Sequence, residues 1–198
     1  KKYIFIVAVG AFATAGLVGR MSQDEFLEEK SYAYTSSTSY NTPSELDMAI
    51  GYLHRTIQYL MYGEWGEHPY MMTGIGLDTY ASKSQTFVTS DWTTLTPDEP
   101  GYVRHWYDYL CRIIHQSNVI IDAIDHRDIN WDSDEQRDAI RAEAIFFRAF
   151  GHRCLAGMFG DSPIMLEPAT SAKVDYVRSP RMEVWQQCVT DFEWASEH

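Results

Sequence analysis

Four stretches of apolar residues at helical spacing constrain the fold of this chain more than any other feature. The first begins at Thr42-Pro43-Ser44-Glu45, a capping box with proline at the first helical position, and it extends to about Tyr62. Its apolar positions share one face of a helix: Leu46, Ala49, Ile50, Leu53, Ile57 and Leu60. The pattern predicts an amphipathic helix over residues 42–62.

Three further helices are predicted on the same grounds, over residues 101–125, 133–158 and 180–198. The third helix opens at Ser133, where Gln136 completes a second capping box, and the fourth opens at Ser179-Pro180. The predicted core positions are Val103, Trp106, Tyr107, Leu110, Ile113, Ile114, Ile120, Ile121 and Ile124, then Ile140, Ala144, Phe147, Gly151 and Leu155, then Val184, Trp185, Cys188, Val189, Phe192 and Ala195. No alternating strand pattern competes with these helices, so the predicted class is all-α.

The connections between the helices have unequal lengths, which favours stacked helical hairpins over a closed four-helix bundle. Helical-hairpin repeats bury their faces against neighbouring repeats. Because the last predicted helix continues to His198 without a stop signal, we expect residues 42–198 to be the first part of a longer helical domain.

The first twenty residues have the composition of a signal peptide. Lys1 and Lys2 precede an apolar run over residues 3–15, which ends in the small residues Ala13-Thr14-Ala15. Leu17-Val18-Gly19 then resembles the box that precedes the lipid-bearing cysteine of bacterial lipoproteins, but Arg20 stands in the place of that cysteine. We therefore expect export, with membrane anchoring of this chain in doubt. Residues 21–41 are polar and are predicted to form a tether.

Charge and cysteine content exclude several classes of function. The net charge is −12 and no basic stripe occurs, so nucleic acid is not an expected partner. Cys111, Cys154 and Cys188 are widely spaced and are predicted to be small buried hydrophobic residues, not a disulfide framework. Cys111 and His115 could offer two metal ligands, and residues 128–134 alternate oxygen ligands, but neither pattern completes a metal site. No metal or cofactor is predicted.

The connection over residues 63–100 is too long for an ordinary loop in a compact domain. It carries Trp65, Asp78, Tyr80 and Trp92 without a clear helical or strand period. Long loops of this kind are functional or disordered, and aromatic side chains argue against disorder because they bury against something. Trp92 alone is at least as well explained as a residue that packs the loop onto the helices.

The stretch from Arg141 to Met165 combines charged residues with aromatic bulk. Glu143 and Arg148 are not spaced as an i,i+4 pair, so each is expected to meet a neighbouring helix or a helix end. Both are predicted to be largely buried and hydrogen-bonded. Phe159-Gly160-Asp161-Ser162-Pro163 is predicted to stop the helix and form a turn.

These residues resemble the signature of the SusD/RagB family of Bacteroidetes outer-membrane nutrient-binding lipoproteins. The matching residues are Glu143-Ala144, Arg148-Ala149, Leu155, Phe159-Gly160-Asp161 and Pro163. The resemblance extends to Asp24-Glu25-Phe26-Leu27-Glu28, to Ile114 and Asn118, and to Arg181, Glu183-Val184-Trp185 and Asp191. His152 and Cys111 stand where tyrosine is common in the family, and we interpret both as tolerated core changes.

The resemblance implies a binding protein, not an enzyme. Family members lie on the cell surface with a SusC-type TonB-dependent transporter and capture oligosaccharides or other nutrients. The implied fold is a superhelix of tetratricopeptide-like helical hairpins with ligand loops on one face. On this reading Trp65, Tyr80 and Trp92 are candidates to stack on sugar rings and Asp78 is a candidate hydrogen-bond acceptor. The alternative is an exported helical-repeat scaffold that binds a protein or peptide.

Overall fold

The helices form where the sequence predicts them. A computed structural model describes residues 40–62, 101–171 and 175–198, without the side chains of residues 62, 101 and 102. Its helices are α1 (Pro43–Tyr62), α2 (Gly101–His126), α3 (Asp134–Phe159) and α4 (Arg181–Glu197). Within these ranges the only extended pairing is an isolated antiparallel bridge between Ser162 and Ser179. The all-α prediction is confirmed, and each helix begins and ends within one or two residues of its expected place.

The capping box of α1 is complete, whereas at α3 the Gln136 Oε1 accepts from the Asp132 N–H, one residue before the cap, at 3.1 Å. At the start of α1, the Thr42 hydroxyl accepts a hydrogen bond from the Glu45 N–H at 3.3 Å. The Glu45 carboxylate accepts in return from the Thr42 N–H at 3.1 Å and from the Asn41 N–H at 2.7 Å. These bonds, the one from Asn41 first, lower the pKa of Glu45. At the start of α3, the Ser133 hydroxyl accepts from the Gln136 N–H at 3.2 Å.

α3 is the central helix, because it packs extensively against both α2 and α4 while α1 lies across α2 and α3. The close approach of α2 depends on Gly151, which lies on the apolar face of α3. A Cβ atom at position 151 would lie 2.5 Å from Cγ1 of Ile114, which is shorter than van der Waals contact allows. The predicted apolar positions of α1 and α3 are buried, or half-buried in the case of Ile57.

The predicted core is wrong at one edge of α4 and at one position of α2. Val184 and Cys188 are buried, but Trp185 is 36% exposed and Val189 is exposed as well. Among the described helices α4 packs extensively only against α3. One neighbouring helix covers only part of the apolar stripe of α4, and the rest of the stripe is half-buried or exposed. On α2, Trp106 is buried as predicted, whereas Tyr107 lies at the exposed edge of the helix.

All four helices belong to one compact unit. The predicted signal peptide with Arg20, and the predicted tether up to residue 39, lie outside the described residues and stay predictions. None of the helices in the described ranges is long and apolar enough to cross a membrane.

Candidate functional site

A buried ion pair joins α3 to α4. The Arg148 guanidinium donates from Nε and Nη2 to the two carboxylate oxygens of Asp191, both at 2.8 Å. The side chains of Arg148 and Asp191 are only 12% and 5% exposed. The side-chain amide of Gln187 donates a further bond to Asp191 at 2.9 Å. Arg148 Nη1 lies 3.5 Å from the side-chain oxygen Oδ1 of Asn118 on α2. The prediction that Arg148 is largely buried and meets a neighbouring helix is confirmed.

The same polar cluster holds the chain that follows α3. We call residues 163–169 the strap. Asn118 Nδ2 donates to the carbonyl oxygens of Met165 and Glu167, at 2.9 and 3.2 Å. The Met165 N–H donates to Nε2 of His152 at 3.0 Å. His152 is therefore more than a tolerated core change, because its ring fixes the backbone of the strap.

The turn at the end of α3 also positions the start of α4. Gly160 has a φ of 78°, a conformation that favours glycine, and its N–H donates to the Ala156 carbonyl. Asp161 Oδ1 accepts from the Arg181 N–H at 2.9 Å. Pro180, the residue just before α4, makes no side-chain hydrogen bond to the start of the helix. Asp161 is thus an N-cap supplied from a distant part of the sequence.

The remaining motif residues pack around this turn. Phe159 meets the ring of Tyr107 edge-to-face at 5.2 Å, and Pro163 is buried. Ser162 and Ser179 exchange backbone hydrogen bonds of 3.2 and 3.1 Å across the bridge. Phe159, Gly160 and Pro163 therefore have the structural role that the sequence predicts.

Glu143 is not buried, which corrects the prediction for this residue. Its side chain is 54% exposed and its carboxylate lies 3.2 Å from Nε2 of His54, itself 64% exposed. The reason is its position on the wall of an open cleft between the start of α1 and the N-terminal half of α3. The expectation that Glu143 meets a neighbouring helix is confirmed, but as a surface contact.

The described surface has open clefts, two of which border the elements above. The one beside Glu143 has a volume of about 530 Å³, and its polar lining includes Asp47, Asn130, Asp132 and Gln136. The other has a volume of about 460 Å³ and lies between the strap and residues 175–177. No group of three or more His, Cys, Asp or Glu side chains is placed to hold a metal ion within the described part of the chain.

An aromatic stack joins the last turn of α1 to the third turn of α2. The rings of Tyr59 and Tyr109 are 5.4 Å apart and nearly parallel, and His105 lies 4.4 Å from Tyr109. Burial raises the pKa of the Tyr109 phenol, and the Arg112 guanidinium lies over its ring at 5.4 Å. The sequence prediction missed this stack, although the i,i+4 spacing of His105 and Tyr109 on a helix was a usable signal.

The ligand-binding candidates are not placed by the structure. Trp65, Asp78, Tyr80 and Trp92 all fall within residues 63–100, outside the described residues, so they stay predictions.

The cysteines are free thiols. Cys188 is buried as predicted, whereas Cys111 and Cys154 are only partly buried and pack against the core. Burial raises the pKa of Cys111 and of Cys188 to about 11, so both are protonated at neutral pH and poor nucleophiles.

Comparisons with known proteins agree with the fold. Residues 25–198 match the SusD-like family described as starch-binding and associating with the outer membrane. The chain is 24% identical over 197 residues to the SusD-like protein P25 of Formosa agariphila, covering 89% of this chain and 35% of that protein. It also resembles the crystal structure of a SusD superfamily protein from Bacteroides thetaiotaomicron, with a TM-score of 0.62, 19% identity, and coverage of 78% of this chain and 36% of the other. The chain thus spans about a third of the length of the relatives that it matches.

Proposed function

The chain belongs to the SusD-like family, and on that basis we propose that it is part of a cell-surface protein that binds oligosaccharides for a SusC-type TonB-dependent outer-membrane transporter. The observation that carries this proposal is the match of residues 25–198 to a family described as starch-binding and associating with the outer membrane. The protein would hold its ligand without converting it, so a bound oligosaccharide should be recovered with its length unchanged.

We propose that the ligand contacts the long connection over residues 63–100. Trp65, Tyr80 and Trp92 offer aromatic faces on which the apolar C–H faces of sugars can stack, and the Asp78 carboxylate can accept hydrogen bonds from sugar hydroxyls. The Tyr59–Tyr109 stack supports this assignment, because Tyr59 lies in the last turn of α1, from which the connection starts.

Binding of the full-length protein to a panel of glycans tests the proposal. We expect Trp92→Ala and Tyr80→Ala to abolish affinity while leaving the melting temperature nearly unchanged. A buried tryptophan replaced by alanine would instead lower the unfolding free energy by about 3–5 kcal/mol. Trp185→Ala is the matched control for affinity, since this tryptophan lies on α4 outside the connection and its loss should leave glycan binding unchanged.

Two outcomes would contradict the proposal. Unchanged affinity in both loop variants would move the ligand site out of this connection. Failure to bind any glycan, together with capture of a defined peptide or protein, would favour the alternative of an exported helical-repeat scaffold. The exposed apolar side chains of Met182, Trp185 and Val189 on α4 are what such a scaffold could offer.

Anchoring to the outer membrane is tested separately. Because arginine has no thiol, the chain with Arg20 should not incorporate labelled fatty acid, whereas Arg20→Cys should restore lipidation in a host that processes lipoproteins. Acylation of the Arg20 form would show that the lipid-bearing position lies elsewhere.

A further inference from the structure

The strap is attached to α3 through a histidine that accepts a hydrogen bond. The Met165 N–H can only donate, so His152 Nε2 must carry a lone pair to make the bond of 3.0 Å. The other ring nitrogen, Nδ1, lies 3.0 Å from the Arg148 carbonyl oxygen, which can only accept. These two partners together define one state of the ring, the neutral tautomer with its proton on Nδ1.

A second histidine makes the same kind of contact at the far end of the strap. The Ala169 N–H donates to Nδ1 of His115, with a longer separation of 3.4 Å and in a more exposed place. Between them, Asn118 holds the carbonyl oxygens of Met165 and Glu167 with an amide that does not titrate. At both ends, therefore, a strap N–H is bonded to an imidazole nitrogen that a proton would occupy.

We propose that the strap is an acid-released segment, in which protonation of His152, assisted by His115, detaches residues 163–169 from α2 and α3. An imidazolium ring has an N–H at both nitrogens and cannot accept from a backbone N–H. Protonated His152 would therefore direct its new N–H at the N–H of Met165, in a site where the ring is 0% exposed to water. Release of the strap lets the charged ring reach solvent and reshapes the cleft of about 460 Å³ that the strap lines.

Burial is the main cause of the lowered pKa of His152, because the effects of the nearby charges largely cancel. Burial lowers the pKa of the ring, and the Arg148 guanidinium lowers it further, while the bond to the Arg148 carbonyl and the Asp191 carboxylate raise it. Arg148 and Asp191 are paired with each other at 2.8 Å, so their effects on the ring largely oppose one another. For His115, burial lowers the pKa without a contribution from a charged neighbour.

The direction of the pH effect follows from these shifts. The released strap leaves both rings with the ordinary histidine pKa of about 6.5, whereas the attached strap holds them at a lower pKa. Between those values the released state binds more protons, so acid favours release. The strap should therefore be held most tightly above about pH 6.5, and its attachment should weaken as the pH falls below that value.

Amide hydrogen exchange of the whole chain at about pH 7.5 and about pH 5.0, corrected for the intrinsic pH dependence of exchange, tests this proposal. At about pH 5.0 we expect the protection of the Met165 and Ala169 amides to fall by up to about 30-fold for each histidine, a limit set by the released-state pKa of about 6.5. The matched variant is His152→Gln with His115→Asn, whose side-chain carbonyls can accept the same bonds but do not titrate. In that variant, protection of the strap should not depend on pH. Amides in the middle of α2 should stay protected in both proteins.

Three results would overturn the proposal. The first is equal strap protection at both pH values in the unaltered chain, and the second is equal loss in the Gln/Asn variant. The third is loss of protection in α2 together with the strap, which would mean general unfolding. If the variant does not fold, nitrogen-15 spectra of the unaltered chain decide, because His152 must be the neutral Nδ1–H tautomer at about pH 7.5. The Nε2–H tautomer or a charged ring at that pH would refute the attachment itself.

Discussion

Replacing Asp191 by alanine would leave the guanidinium of Arg148 buried without a charged partner. Both direct bonds from Arg148, each 2.8 Å long, would be lost, and the 3.5 Å approach to Asn118 is too long to replace them. With only 12% of the Arg148 side chain exposed, water could restore little of its solvation. Removing one member of a buried pair typically lowers the unfolding free energy by about 3–5 kcal/mol. We expect Asp191→Ala and Arg148→Ala each to fall in this range.

Urea unfolding followed by circular dichroism measures the loss directly, and thermal melting provides a second readout. For a chain of this size each kcal/mol corresponds to roughly 2–4 °C, so either variant should melt roughly 6–20 °C below the parent. The double variant Arg148→Met with Asp191→Leu should lose less unfolding free energy than Arg148→Ala and Asp191→Ala lose together. The reason is that it leaves no unpaired charge in the interior.

Glu143→Ala is the control within the same helix. Glu143 also contacts another helix, through His54, but more than half of its side chain is in solvent, so its loss should change stability by less than about 1 kcal/mol. The reasoning would be refuted if Asp191→Ala cost no more than Glu143→Ala. It would also be refuted if the double replacement were as damaging as the sum of its parts.

Three further changes are predicted from the described geometry. Gly151→Ala should destabilise the protein by about 1–2 kcal/mol in urea unfolding, because the new Cβ would overlap α2. Gly157→Ala on the same helix meets open space and should stabilise the protein by about 0.5–1 kcal/mol. Equal effects of the two substitutions would contradict the close helix approach. Asp161→Ala should lower stability by about 1 kcal/mol through loss of the cap on α4, and no loss would mean that the cap is dispensable. The folded state lowers the pKa of His152, so the neutral ring contributes stability that is complete above about pH 6.5 and declines below it. On acidification, His152→Gln should therefore lose less unfolding free energy than the parent. Equal losses of unfolding free energy in the two proteins would contradict this.

Local signals account for the parts of the fold that were predictable. The pairs Thr42/Glu45 and Ser133/Gln136 lie three residues apart, and the bonds they form depend only on the first turn of each helix. The close approach at Gly151 was predictable for a similar reason, since a glycine on an apolar helix face has few other uses. The positions of the helices were predictable from apolar spacing and from cap and stop residues near the ends of each segment.

The roles of the charged residues depended on distant partners and were harder to predict. Glu143 and Arg148 lie on one helix in similar aromatic surroundings, yet only Arg148 faces a helix that covers it. Asp161 caps a helix that begins twenty residues later, and His152 bonds a strap that folds back beside it. Sequence spacing contains no record of these pairings, because each one is set by how the helices pack. The ligand candidates over residues 63–100 remain predictions because they lie outside the described residues.

The bridge between Ser162 and Ser179 has a consequence for how this part of the family can change during evolution. The two residues exchange both backbone hydrogen bonds, so the chain leaves and returns at one point. The entropic cost of bringing the ends of a loop together rises only slowly with the length of the loop. Insertions or deletions after the strap, between residues 170 and 178, would therefore leave the crossing of α3 and α4 unchanged. This stretch of the α3–α4 connection is where we expect relatives to differ in length while the helices on either side keep their register.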